Sequence, residues 1–387
     1  MAGTGIYLDY AATTPLRAEV LEAMLPYFCQ HYGNPSSIHA WGHQAHAAIE
    51  QARQSVAAIL ECEAEEVIFT SGGTEGDNLA LKGIAWAQRS RGRHIITSQI
   101  EHHAVLHTCQ ALEQQGFEVT YLPVDSEGLV SPEALEQAIR NDTILISIMY
   151  ANNEIGTIEP LSQISQLAHA RAIPFHTDAV QAGGLLDLRV DVLGVDALTL
   201  SAHKFYGPKG LGVLYLRRST PFQTQQHGGG QEDGRRSGTH NVPGIVGLAA
   251  ALELAYRKAP AERARLTNLR DTFIDGILTR IPQVRLNGAR TRRLPNNVHV
   301  AFAGLTSIGL VEMLDTYGIG ASAGSACSAG STQPSHVLQA LNLPAAYLHG
   351  ALRLTLGAET TSADIETTLE VLPECVSYLR RLAPQPD

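Results

Sequence analysis

Between residues 66 and 216 the chain alternates two textures, and this alternation limits its possible folds more than any other feature. Short runs rich in β-branched and aromatic residues fall at 67–70, 95–97, 119–121, 144–149, 173–175, 197–200 and 213–215. Stretches with helical apolar spacing separate several of them, at 76–88, 104–115, 132–139 and 161–170. Strands alternating with helices of this length build βαβ units, whose strands run parallel. The expected class is α/β: a large domain with a mainly parallel seven-stranded sheet flanked by helices. Ligands of such sheets gather at the carboxyl ends of the strands. A Gly- and Arg-rich stretch at 228–241 reads as a long exposed loop, and a helix at 244–258 follows it. Beyond residue 259 the pattern becomes helix 262–281, strand 298–302, helix 308–317, strand 352–356 and helix 363–382. This predicts a smaller α+β C-terminal domain. The large domain is expected at 15–258, and the small one at 1–14 with 259–387.

Composition narrows the function. A length of 387 residues suits two domains. A net charge of −10 makes a poor general binder of nucleic acid or anionic membrane, which require clustered cations. No apolar run approaches a membrane-spanning length, and the first residues carry neither a basic nor an apolar signal region, so a cytoplasmic protein is expected. Five cysteines, Cys29, Cys62, Cys109, Cys327 and Cys375, are odd in number and scattered, which argues against a disulfide framework and a cysteine-based metal site. His39, His43 and His46 fall at helical spacing, but no carboxylate or cysteine completes a metal set, so no metal is expected.

Three segments that follow strands carry candidate chemistry. Thr70-Ser71-Gly72-Gly73-Thr74-Glu75 turns from a strand into a helix, whose N-terminal N–H groups suit a phosphate. A plain tight turn capped by Thr74 remains the alternative. Asp178 closes an apolar strand, where it can pair with a protonated ring nitrogen or cap a helix. Lys204 stands among Ser201, His203, Phe205 and Tyr206 rather than among charges. Of 28 basic residues only four are lysines, and Lys82, Lys209 and Lys258 sit in helix-surface or turn settings. Lys204 is thus the best amine, because a lysine partly shielded from water deprotonates readily enough to attack a carbonyl. A phosphate cradle, a carboxylate at one strand end and an amine at another together describe a site for pyridoxal phosphate.

With these segments the chain resembles the cysteine desulfurases of NifS/IscS type, within the class V aminotransferase branch of fold-type I pyridoxal phosphate enzymes. The likeness extends from Tyr7-Leu8-Asp9-Tyr10-Ala11-Ala12-Thr13-Thr14-Pro15 through Gly33-Asn34-Pro35, Glu101-His102, Asn152-Asn153-Glu154 and Arg236-Ser237-Gly238-Thr239 to Gly324-Ser325-Ala326-Cys327 and Arg353-Leu354-Thr355. The resemblance implies that Lys204 binds the cofactor covalently, Asp178 pairs with its pyridine nitrogen, and Gln181 meets its phenolic oxygen. It implies that His102 stacks on the ring and moves protons. Gly73, Thr74, Ser201 and His203 hold the phosphate, with Thr239 supplied by a second subunit. Arg353 clamps the substrate carboxylate and Asn153 lines the same pocket. The implied reaction converts L-cysteine to L-alanine and leaves a persulfide on an enzyme cysteine. The implied partners are a second copy of the chain and a sulfur-acceptor protein, an iron–sulfur scaffold or a sulfur carrier; sulfur would go to iron–sulfur assembly or tRNA thiolation. A selenocysteine lyase or an aminotransferase of the same fold is the alternative, and a scaffold that has lost catalysis is a further one.

Cys327 is the implied nucleophile. Eleven of the twelve residues 320–331 are Gly, Ala or Ser, a composition expected to bury little, and the surrounding loop is taken as about 320–333. Cys29, Cys62, Cys109 and Cys375 lie in helical patterns and are expected to be packing residues. Gly320-Ala321-Ser322-Ala323-Gly324 also matches the hydrolase elbow, but no Asp or Glu lies between Ser322 and Glu359 and no His follows Glu359, so its triad cannot form. Arg235 and Arg236 are read as an anion contact or as solvated loop residues.

Overall fold

The computed structural model describes residues 5–324 and 334–382. Twelve strands are present among these residues: β1 (Ile6–Tyr7), β2 (Val67–Thr70), β3 (His94–Ser98), β4 (Glu118–Leu122), β5 (Thr143–Ser147), β6 (Phe175–Asp178), β7 (Ala197–Ser201), β8 (Gly212–Leu216), β9 (Val284–Leu286), β10 (Asn297–Phe302), β11 (Ile319–Gly320) and β12 (Ala351–Thr355). Seven of them form one sheet in the order β2-β8-β7-β6-β5-β3-β4. The pairs β7/β6, β6/β5, β5/β3 and β3/β4 are parallel, as expected. β8 runs antiparallel to both β7 and β2. β2 therefore points the same way as β7, and the carboxyl ends of β2, β3, β5, β6 and β7 share one edge. Except for the edge strand β4, these strands are buried along their whole length, as strands with both faces covered must be. Two apolar cores flank the sheet. One packs Val56, Phe69, Ile146, Leu198 and Leu248, and the other Ile68, Leu81, Ile95, Leu112 and Leu214.

A third core joins Leu8, Phe273, Ile274, Val298, Leu314, Leu352 and Leu369 around the antiparallel sheet β12-β10-β9. The N-terminal arm belongs to this part. β1 pairs in parallel with β11, and Asp9 bridges to Thr355 at the end of β12. The helices expected at 244–258 and 262–281 are one continuous helix, Val242–Arg280, which packs Leu248 in the large-sheet core and Phe273 in the third. Pro260 lies inside it and removes one backbone donor, but apolar packing on both sides of the proline holds the helix together. The expected boundary at 258/259 falls within this helix. A 21-residue helix, Ala40–Leu60, was not assigned from the sequence, and four of its nine buried residues are alanine.

Candidate active site

The site is assembled at the carboxyl edge of the large sheet. β2 ends at Thr70, and the chain turns through Gly72 into the helix Gly73–Gln88. Gly72 has φ +153°, a conformation that a side chain opposes. A β-carbon on Gly73 would stand 2.7 Å from Val180 Cγ2. Small residues thus let the helix start lie against the end of β6 and leave its first N–H groups facing a cavity. β6 ends at Asp178 and β7 at Ser201, and a single helical turn after β7 carries His203 and Lys204. His102 caps the helix His103–Glu113 after β3, its Nδ1 accepting from Ala104 N–H at 3.1 Å.

These pieces enclose a cavity of about 240 Å³, lined by Gly73, Thr74, His102, Asn153, Asp178, Gln181, Ser201, His203, Lys204 and Arg353. Ten of the twelve residues singled out in the sequence are in that wall. Thr239 is not; it is exposed in the 228–241 segment. Cys327 lies outside the described residues. On either side of it, Ser322 is bridged to Arg353 through both backbone groups, and Ser335 Oγ donates to Glu154 Oε2 at 2.6 Å. Among the other lining residues, Ala11, Ala12, Asp77, Met149 and Ala151 had escaped sequence reasoning. Asp77 follows the Gly turn by one helical turn, so its spacing from Gly73 could have flagged it.

The electrostatics suit an electron-withdrawing ring cofactor. Asp178 is buried, its carboxyl raised by that burial and only partly lowered by Val180 N–H and the charge of Lys204. Its neighbour Asp77 is held well above the usual carboxylate range by burial and by Asp178 itself, so this wall favours one negative charge rather than two. Burial and then the nearby Lys204 push His102 down to about 4, which keeps its imidazole neutral near neutral pH. His203 is lowered to about 4 for the same two reasons, and its Nδ1 lies 3.1 Å from Thr13 Oγ1. Lys204 Nζ donates to Ala11 O at 2.5 Å and to Ala12 O at 2.9 Å, and Gln181 Nε2 also donates to Ala11 O. Arg353 is 2% exposed, with Nη1 on Asn153 O and Nη2 on Asp9 Oδ1. The donor set fits pyridoxal phosphate: a carboxylate for the ring nitrogen, a glycine-rich helix start for the phosphate, an amine between them and a buried guanidinium for an amino-acid carboxylate.

The remaining expectations divide. Cys109 and Cys375 are buried packing residues, as read, and burial raises the thiols of Cys62 and Cys375 to about 12 and 11. Cys29 is exposed, because the short helix Pro26–Cys29 buries none of its residues. Arg236 is neither solvated nor an anion contact; it forks onto Glu75 at 2.6 and 3.1 Å. His39 and His43 use ring nitrogens on Gly42 N–H and Ile38 O, respectively. Among the described residues no group of three or more His, Cys, Asp or Glu is placed to hold a metal ion, and no helix is long and apolar enough to cross a membrane.

Comparison with known proteins matches residues 6–368 to the aminotransferase class-V family. A cysteine desulfurase IscS of Dictyoglomus turgidum is 53% identical over 98% of this chain and 96% of its own. Among solved structures, a NifS-like protein superposes with a TM-score of 0.91 at 38% identity, covering 97% of this chain and all of that one. SspA in complex with cysteine gives 0.81 at 40% identity, over 91% and 99%.

Proposed function

The chain belongs to the aminotransferase class-V family, and on that premise we propose that it works as a pyridoxal phosphate-dependent cysteine desulfurase of IscS type. It converts L-cysteine to L-alanine, passes the sulfur to an enzyme cysteine as a persulfide, and supplies sulfur for iron–sulfur cluster assembly. The observation that carries this reading is the convergence of Lys204, Asp178, the Gly73–Thr74 helix start and Arg353 on one cavity. The relative SspA, solved in complex with cysteine, supports the substrate.

The cofactor, bound at Lys204, supplies an electron sink for the substrate's α-carbon. Asp178 sits where it can keep the ring nitrogen protonated, and its neighbour Asp77, whose carboxyl burial and Asp178 itself raise, disfavours a second negative charge there. Gly73, Thr74, Ser201 and His203 hold the phosphate, and Gln181 reaches the ring's phenolic oxygen. His102, in the cavity wall, would pack against the ring and pass a proton to or from the substrate. Arg353 and Asn153 orient the substrate through its carboxylate.

Cys327 is assigned the persulfide. Among the other cysteines, burial keeps Cys62, Cys109 and Cys375 in the thiol form, and none of the four lines the cavity. A thiolate is needed for attack on sulfur. Thr239, exposed and absent from the lining of its own cavity, is assigned to the phosphate site of a second copy in a cytoplasmic homodimer. The persulfide then passes to an acceptor protein, a scaffold or sulfur carrier.

Purified protein supplied with pyridoxal phosphate and L-cysteine should form alanine and, with a thiol reductant, sulfide in equal amounts. Lys204→Ala should lower this by at least about 10³-fold, some 4 kcal/mol at 1.36 kcal/mol per tenfold, and abolish borohydride trapping of the cofactor. Cys327→Ser should keep the cofactor absorbance and lose sulfide release. Trapping at Lys82, Lys209 or Lys258, or full activity of Cys327→Ser, would overturn the assignment. Keto-acid formation without sulfide would favour an aminotransferase, and preference for selenocysteine a selenocysteine lyase.

A further inference from the structure

Arg353 is held by a residue that the site description leaves without a role. A guanidinium has five N–H donors. Arg353 uses one on Asn153 O at 2.9 Å and one on Asp9 Oδ1 at 2.8 Å. Its Nε–H is buried and has no acceptor among the described residues. An unpaired buried donor is costly, because it has given up water without a replacement acceptor. Arg293, equally buried, instead spends its donors on Ala289 O, Asn287 O and Asn297. The difference is that Arg353 lines the cavity and keeps a second N–H on each Nη, the donors through which it can meet a ligand acceptor.

Asp9 is itself fixed. Thr355 N–H donates to Leu8 O at 2.7 Å, and Asp9 bridges to Thr355, two residues along β12 from Arg353. Tyr7 Oη donates to the Asp9 carbonyl at 3.1 Å. The N-terminal arm therefore delivers one carboxylate oxygen to one fork nitrogen in a set geometry. A five-donor fork on a long side chain has many orientations, and only some of them present two parallel N–H groups to a carboxylate.

We propose that Asp9 is a positioning residue for substrate binding: it pins the Nη2 side of Arg353 so that the remaining donors meet the α-carboxylate of the amino acid. The proposal rests on Arg353 being the carboxylate clamp. Asp9 acts here through hydrogen-bond geometry, so an amide that keeps the acceptor oxygen should serve nearly as well. Its effect should fall on ligands that carry the carboxylate and spare those that lack it.

The test uses the cofactor-loaded enzyme and two ligands, L-alanine and its carboxylate-free counterpart ethylamine, titrated by the change in cofactor absorbance. Asp9→Ala should weaken L-alanine at least tenfold and raise the KM for L-cysteine to a similar extent, with kcat within threefold of the parent. Ethylamine binding should be unchanged, and Asp9→Asn should stay within threefold of the parent for both ligands. Asp9→Ser, too short to reach Nη2, replaces Asp9→Ala if the latter does not fold. Unchanged L-alanine affinity in Asp9→Ala, equal weakening by Ala and Asn, or equal loss of ethylamine would each overturn the proposal. Arg353→Lys separates the two levels. If it leaves L-alanine affinity intact, the clamp reading fails; if it weakens L-alanine and Asp9→Ala does not, only the Asp9 proposal fails.

Discussion

Arg53 and Arg353 are both buried, both face a carboxylate from a distant part of the chain, and differ in how fully they are paired. Arg53 sends Nη1 to Glu232 Oε2 at 2.8 Å and to Val67 O at 2.6 Å, Nη2 to Glu232 Oε1 at 3.0 Å and Nε to Glu50 at 3.1 Å. Its guanidinium also lies 4.9 Å from the centre of the Phe69 ring. Glu232 is equally occupied, accepting further from Phe69 N–H and from His240 Nε2 at 2.7 Å. Through this pair the 228–241 segment covers the open edge of β2, the strand that leads into the Gly72–Gly73 turn. Glu232 and Asp233 hold positive φ of 50° and 53°, a backbone strain that the buried carboxylate offsets. Arg353 makes two such bonds and keeps its other donors. Arg53, which does not line the cavity, commits four of its five donors to the fold, whereas Arg353, in the cavity wall, commits two.

The contrast breaks most readily at Arg53. Arg53→Ala strands the Glu232 carboxylate in a buried site, and removing one member of a buried pair costs about 3–5 kcal/mol. Thermal or denaturant unfolding should show that loss, while the KM for L-cysteine of the folded fraction at low temperature stays near the parent value. A raised KM at unchanged stability would mean that Arg53, too, serves the site. The next effect is in acid. Burial alone would raise the Glu232 carboxyl, but the His240 hydrogen bond and the Arg53 fork outweigh it and bring it down to about 2. A folded value below the unfolded one stabilises the protein above the unfolded value, and that stability is lost as pH falls through the folded one. The window is thus from about pH 4.5 down to about 2, and the contribution is on the order of 3 kcal/mol at 1.36 kcal/mol per unit. Glu232→Gln should be less stable than the parent at pH 6, and the gap should close across that window in denaturant titrations. A gap that does not change with pH would show that the charge of Glu232 contributes little.

These pairs also show where the sequence stopped being legible. The strands of the large sheet were visible because each is a short run rich in β-branched residues, and all but the edge strand β4 are buried along their whole length. β6 was placed two residues early, since His176, Thr177 and Asp178 look too polar for an interior strand. In the structure His176 is satisfied sideways by Ser147 Oγ at 2.9 Å and Thr199 Oγ1 at 3.1 Å from the strands on either side. Lys204, Asp178 and the Gly turn could be found because each follows its own strand, so local context announced them. Asp9 and Glu232 could not. Asp9 meets Arg353 across 344 positions, Glu232 meets Arg53 across 179, and neither has a neighbour in sequence that hints at the pairing. Arg236 was misread for the same reason, its partner Glu75 lying 161 positions away. The helix through Pro260 defeats a local rule, because packing on both sides holds what a proline would otherwise end.

The smallest of these effects tests Arg353 by a change that keeps its charge. Arg353→Lys retains a cation near the half-buried Asp9 carboxylate, so unfolding should move by less than in Arg53→Ala. What the lysine cannot do is reach Asn153 O and Asp9 and still present two parallel donors to a substrate carboxylate, because an ammonium has three donors on one nitrogen and no planar fork. The loss should therefore fall on binding: a KM for L-cysteine raised by about 30- to 100-fold, roughly 2–2.7 kcal/mol at 1.36 kcal/mol per tenfold. If charge alone recruits the substrate, KM will hardly change, and the spare donors of Arg353 will have to be explained as packing. If KM rises while the unfolding transition stays within about 1–2 kcal/mol of the parent, the two arginines separate as their pairing says they should. One holds the edge of the sheet in place, and the other is kept short of partners so that a substrate can supply them.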